Sequence, residues 1–220
     1  MARPKGNREA TEARRRAIVE AAFEVFGRFG YNGSSLAQVA EIVGITDAAI
    51  VHHFGSKREL MLAVLTRRDD LDNTLIFDDD NGIDFSAIWL DIAEYNYNHP
   101  GIVELFTVLA AEATSEAHPA HEYFKDRYVM VYQRLLKSFE CLRREGHLKS
   151  KETCEALARK LIALSDGMQV QWLLDRSIQL LDYHTDFYKE VLKPSAWELV
   201  LAKRKVNEPM IAEYIANNAA

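Results

Sequence analysis

The segment ITDAAIVHHFGSKRE, residues 45–59, sets small side chains beside two adjacent histidines and a lysine. Ala48 and Ala49 are small enough to let a backbone approach another surface closely. His52, His53 and Lys57 supply hydrogen-bond donors and positive charge, and Asp47 supplies an acceptor. Together they suit contact with a polyanion. Val51, in the same stretch, can offer only apolar contact. A metal pair is a poor reading of His52 and His53, because neighbouring helical residues point about 100° apart. His118, His121 and Glu122 of HPAHE also lack a second ligand cluster elsewhere in the sequence. No Gly-rich phosphate loop, Ser-His-Asp arrangement or nucleophilic Cys pattern is present. The sequence therefore predicts neither metal nor cofactor nor enzymatic activity.

Groups of this kind need short rigid elements to present them. In SSLAQVAEIVG, Ser35 and Gln38 have capping-box spacing, and Leu36, Val39, Ala40 and Val43 form an apolar stripe. Gly44 stops that helix. Thr46 caps the next one, with Ile45 and Ile50 spaced as a hydrophobic staple. Two short helices joined by a tight turn make a helix-turn-helix. The first braces the second, whose outer face must enter a major groove about 12 Å wide. Asp47, Ala48, Ala49, Val51 and His52 fall near that face. His53 and Lys57 are predicted to reach phosphates, as are the free amides near Ser56. Ahead of this pair, AIVEAAFEVFGRFG carries a continuous stripe that ends at Gly30. Ser56 and Glu59 repeat the capping-box spacing and open a longer helix.

The remaining chain reads with helical period almost throughout. Helical patterns cover FSAIWLDIAEYNYNH, GIVELFTVLAAEATSE, a long segment from His121 to Gly146, a segment capped by Ser150, and two more on either side of Pro194. The predicted class is all-α, with a three-helix helix-turn-helix domain over 1–56 and a larger helical bundle over 57–220. With 220 residues and a 48% hydrophobic composition, the chain can bury a substantial core. No apolar run spans a bilayer, and the N-terminus lacks the apolar core of a secretory signal. Cys141 and Cys154 sit in helical patterns and are expected to be reduced, as in a cytoplasmic protein. The net charge of −6 hides an asymmetry: residues 1–68 hold 11 basic and 7 acidic side chains, and the rest hold 16 and 26. Only the basic third suits an anionic partner. Arg3, Lys5, Arg8, Arg14, Arg15 and Arg16 form an N-terminal basic run expected to enter or skirt a minor groove.

Residues 13–65 resemble the tetracycline-repressor (TetR) family of bacterial transcriptional regulators. The resemblance is carried by Phe26, Phe29-Gly30-Tyr31, Ser34-Ser35, Val39-Ala40, Gly44-Ile45-Thr46, His53-Phe54, Ser56-Lys57 and Leu60. It implies a homodimer that binds palindromic operator DNA as a repressor and is released by a small-molecule effector of unknown identity. It implies DNA contacts from Ser34, Ser35, Thr46, Asp47, Ala48, Ala49, Val51, His52, His53 and Lys57. Family members commonly carry a phosphate-contacting Tyr where this chain has Val51, and Gly and Thr where it has Ala48 and Ala49. Affinity must then lean on Ser34, Ser35, His52, His53, Lys57 and the basic arm. The segment 144–175 resembles the family's C-terminal region, whose last long helices pair two subunits.

An apolar effector cavity is also implied among the central helices. Trp89, Phe106, Tyr128 and Trp172 are its candidate aromatic lining, and Asn96, Glu112, Gln133, Asp166 and Gln169 its polar candidates. Two alternatives stay open at this stage: an all-α enzyme, and a regulator switched by a partner protein or by cysteine oxidation.

Overall fold

The computed structural model describes residues 5–75 and 81–218, with side chains over 9–67 and 81–207. Ten helices form among these residues: α1 (Lys5–Phe29), α2 (Leu36–Val43), α3 (Asp47–Phe54), α4 (Lys57–Leu75), α5 (Gly82–Asn98), α6 (Pro100–Glu112), α7 (His121–Arg144), α8 (Cys154–Leu174), α9 (Leu180–Val191) and α10 (Pro194–Asn218). No strand forms among them, only an isolated antiparallel bridge between Leu148 and Leu192. The side chains of Arg3, Lys5, Arg8 and of the acidic run 78–80 lie outside the described residues, as do those of the tail after Asn207.

The chain divides into two compact units, one of Met1–Asp70 with Glu104–Phe124, the other of Leu71–Val103 with Lys125–Ala220. This differs from the expected split at 56/57. The first turns of α4, with buried Leu60, Met61, Val64 and Leu65, group with the N-terminal unit, which also holds the buried α1 stripe of Ile18, Ala22, Val25 and Phe26. The segment 104–124 joins the same unit through buried Leu105, Leu109 and Phe124.

The second unit is built on a core of Leu90, Leu135, Phe139, Leu142, Leu157, Leu161 and Tyr188, drawn from α5, α7, α8 and α9. Helix α10 closes it with Ala196 and Val200. Arg204 on α10 pairs with Asp91 at 2.6 Å and with Glu94, while Lys203 reaches Asp84 at 2.9 Å. Asp91 is buried, so the pairing and the amide of Asn207 are what keep its carboxylate from standing alone in the core.

Helix α8 starts three residues later than expected. Thr153, not Ser150, is its N-cap, accepting the Ala156 N–H at 3.2 Å. Residues 148–150 are held extended instead, since Lys149 N and Ser150 N both donate to Val191 O.

Candidate nucleic-acid interface

The helix-turn-helix forms as its caps predict. The Ser35 hydroxyl accepts the Gln38 N–H at 3.3 Å, and the Gln38 side chain accepts the Ser35 N–H at 2.7 Å, completing the capping box. Gly44 sits at φ 70°, a left-handed conformation that ends α2 at little cost to glycine. Thr46 accepts the Ala49 N–H at 3.2 Å and starts α3. Ile50 is fully buried beneath α3, so the opposite face is left outward. That outer face is Asp47, Ala48, Val51 and His52, all exposed, with Ala49 and His53 at its margins. Asp47 turns its carboxylate back to the Ala48 N–H at 2.9 Å. Val51 is 43% exposed and offers an apolar contact where a hydroxyl could have bonded phosphate.

Three residues expected to meet DNA make bonds inside the protein. Lys57 donates its ammonium to Tyr31 O and Ser34 O, and lies over the Tyr31 ring at 4.5 Å. Partial burial pushes its pKa down, while Glu112 opposes the shift. Ser34 is buried and donates its hydroxyl to Tyr31 O at 2.9 Å. Arg15, assigned to the basic arm, donates to His53 O and lies over the Phe54 ring at 4.2 Å. It thus caps the C-terminal end of α3 and fixes the recognition helix to α1. Arg14 and Arg16 remain exposed on α1, and Ser35 and Thr46 are exposed at the helix starts.

Residues 18–64 match the model for bacterial regulatory proteins of the tetR family. The chain is 37% identical over 62 residues to the HTH-type transcriptional regulator RutR of Escherichia coli, covering 28% of this chain. That match spans 29% of RutR, under a third of its length. A longer match, 26% identical over 182 residues, links it to the HTH-type transcriptional regulator TtgR of Pseudomonas putida, covering 76% of this chain and 83% of TtgR. Among solved structures, SmeT, the repressor of the Stenotrophomonas maltophilia multidrug efflux pump SmeDEF, shares the fold at TM-score 0.65 and 18% identity. That alignment covers 83% of this chain and 92% of SmeT. Over residues 18–64 the chain is thus similar to the bacterial regulatory proteins of the tetR family, and the likeness to SmeT extends over most of the fold.

The residues suggested for a family-like effector cavity scatter. Tyr128 and Asp166 meet, the tyrosine hydroxyl donating to the carboxylate at 2.9 Å between α7 and α8. Trp172 is buried against Tyr97, with ring centroids 5.6 Å apart, in a small cluster with Val103, Met168 and Leu180. Trp89 packs beside the main core, and the indole N–H groups of Trp89 and Trp172 are buried without a hydrogen-bond partner. Asn96 is buried, Gln169 is half-buried, and Gln133 is exposed on α7. Phe106 and Glu112 fall in the N-terminal unit. Phe106 meets Phe124 edge to face at 5.1 Å. Glu112 accepts the backbone N–H of Tyr31 at 2.6 Å and of Asn32 at 3.3 Å.

The histidines of HPAHE separate as well. His118 is buried, accepts the Ala120 N–H on Nδ1 at 3.2 Å, and points Nε2 toward Glu112 at 3.5 Å. His121 turns its Nδ1 to Ala113 O at 2.9 Å, with Glu122 3.9 Å from its other nitrogen. Cys141 and Cys154 are free, buried thiols whose pKa values burial pushes up, the opposite of a reactive thiolate.

Sequence reasoning missed Arg15 and Glu112. Arg15 was visible only as one member of a basic run. Glu112 looked like a polar interruption of an apolar helix, and nothing local links it to a turn some 80 residues away.

Proposed function

We propose that this chain is a homodimeric, sequence-specific DNA-binding transcriptional regulator that acts as a repressor in the cytoplasm. In this reading it leaves a palindromic operator when a small molecule binds its helical unit. The outward face of α3 carries the proposal. It combines small and polar exposed side chains, a buried Ile50 beneath, and fixed caps at both ends. Such a surface has no packing role inside the protomer and fits a major groove.

Exposed apolar side chains on α8 support the dimer. Leu174 is 85% exposed and Val170 46%, and a Cβ placed on Gly167 would meet nothing within 4 Å. A second copy seated there buries what one protomer leaves in water. Two recognition helices must then stand about 34 Å apart, one turn of DNA, to enter successive grooves.

The SmeT–triclosan complex supports the effector by likeness of fold. Here Tyr128, Asp166 and Trp172 are the side chains proposed to meet such a molecule. The effector can shift the equilibrium only by binding one arrangement of helices better than the other.

Selection of bound sequences from a random duplex pool tests this reading. Enrichment of an inverted repeat, with half-site centres one helical turn apart, is the expected result. A folded, dimeric protein that enriches no sequence overturns it.

A further inference from the structure

The turn between α1 and α2 is held from two sides. Its carbonyl groups, Tyr31 O and Ser34 O, take the ammonium of Lys57 from the start of α4. Its amides, Tyr31 N and Asn32 N, donate to the carboxylate of Glu112, the last residue of α6. The turn is also shaped around that carboxylate. Gly30 stands at φ 69°, and a Cβ there would come within 2.5 Å of Glu112 Oε1. Any side chain at position 30 would displace the group that binds the next two amides. One further contact reaches the carboxylate, and two more pack the parts around it. His118 Nε2 lies 3.5 Å from Oε2, and its Nδ1 accepts a backbone N–H, so the Nε2 proton faces Glu112. The His118 ring stands edge-on to Tyr31 at 5.2 Å. Helix α6 also runs close against α1, where a Cβ on Gly27 would lie 3.5 Å from Leu105 N.

This turn delivers the chain into Ser35, the N-cap of α2, and α2 braces α3. Hydrogen bonds to a charged acceptor are stronger than neutral ones, and a carboxylate receiving two adjacent amides fixes both position and direction of the backbone.

We propose that Glu112 is a positioning residue for DNA reading: from α6, outside the helix-turn-helix, its carboxylate fixes the α1–α2 turn and thereby the pose of α2 and α3. This rests on the DNA-reading function proposed above. It gives α6 a role in setting operator affinity that the contact face of α3 does not reveal.

The sign of the effect separates this role from simple electrostatics. Removing a negative charge from a DNA-binding unit should by itself strengthen binding to phosphates. A positioning role predicts weakening. The experiment measures affinity for the duplex selected by the wild-type protein, at a temperature where every variant is folded. The proteins are wild type, Glu112→Ala and Glu112→Gln. Amide proton signals of Tyr31 and Asn32 are recorded for each. Glu112→Gln keeps the shape and one acceptor oxygen, so the test survives if Glu112→Ala fails to fold.

The expected result is about tenfold weaker binding by Glu112→Ala, a smaller loss by Glu112→Gln, and displaced Tyr31 and Asn32 signals in both. Variants that bind as well as wild type or better overturn the inference, even if they melt earlier. Weaker binding with both amide signals unmoved also overturns it, since the loss would then arise elsewhere. A wild-type protein that selects no duplex removes the proposed function itself, which is a distinct outcome.

Discussion

His53 is half-buried near the end of α3, and its imidazole is held below the ordinary histidine range. Burial contributes most, followed by His52 and the guanidinium groups of Arg15 and Arg14. It is therefore neutral near pH 7. A phosphate brought against it favours the charged form, so binding DNA takes up a proton. Affinity for a selected duplex is expected to rise as pH falls from about 8 to about 5.5, and His53→Gln should flatten part of that rise. Titrations across that range check it, and a slope unchanged in the variant would remove His53 from the interface. At this scale the sequence revealed residue types but not allegiances. Ser34 and Lys57 have the chemistry of phosphate contacts, yet within the protein Lys57 donates to Tyr31 O and Ser34 O, and the Ser34 hydroxyl donates to Tyr31 O. A side chain bonds the partner the fold brings first, and that partner is invisible in a local reading.

Elements were more legible than residues. Ser35, Gly44 and Thr46 act through hydrogen bonds to neighbours a few positions away, so their spacing alone reveals α2 and α3. The start of α8 was not legible in this way. Ser150 and Thr153 both offer a hydroxyl, but Val191 O engages the backbone at 149 and 150 and keeps it extended. That decision is made some 40 residues downstream. Thr153→Ala is accordingly expected to cost about 1 kcal/mol of stability, and Ser150→Ala distinctly less. Chemical denaturation of the two variants reports the difference, and equal losses would contradict the assigned cap. Glu112 belongs to the same lesson. Helical periodicity marked it as polar on an apolar helix, and only the packed N-terminal unit shows which backbone it faces.

For the whole molecule, the all-α class and the basic N-terminal third on an acidic body were both visible in composition and period. The border between units was not, because segment 104–124 folds into the N-terminal unit from far along the chain. The proposed dimer predicts that Leu174→Glu, placing charge on the exposed end of α8, lowers the mass measured by light scattering from two chains toward one. An undiminished mass would place the dimer face elsewhere. The same variant should lose most affinity for a palindromic duplex while single half-site binding persists, since avidity comes from two linked heads.

The most direct test of the account is one titration of the selected duplex with wild type and Ala48→Glu. Ala48 is exposed on the outer face of α3, and its side chain supports nothing in the protomer core. A carboxylate there is set against the DNA it must approach, so affinity should fall by about a hundredfold or more while thermal stability is unchanged. Binding by Ala48→Glu equal to wild type would mean that α3 does not read DNA, and the central claim would fall.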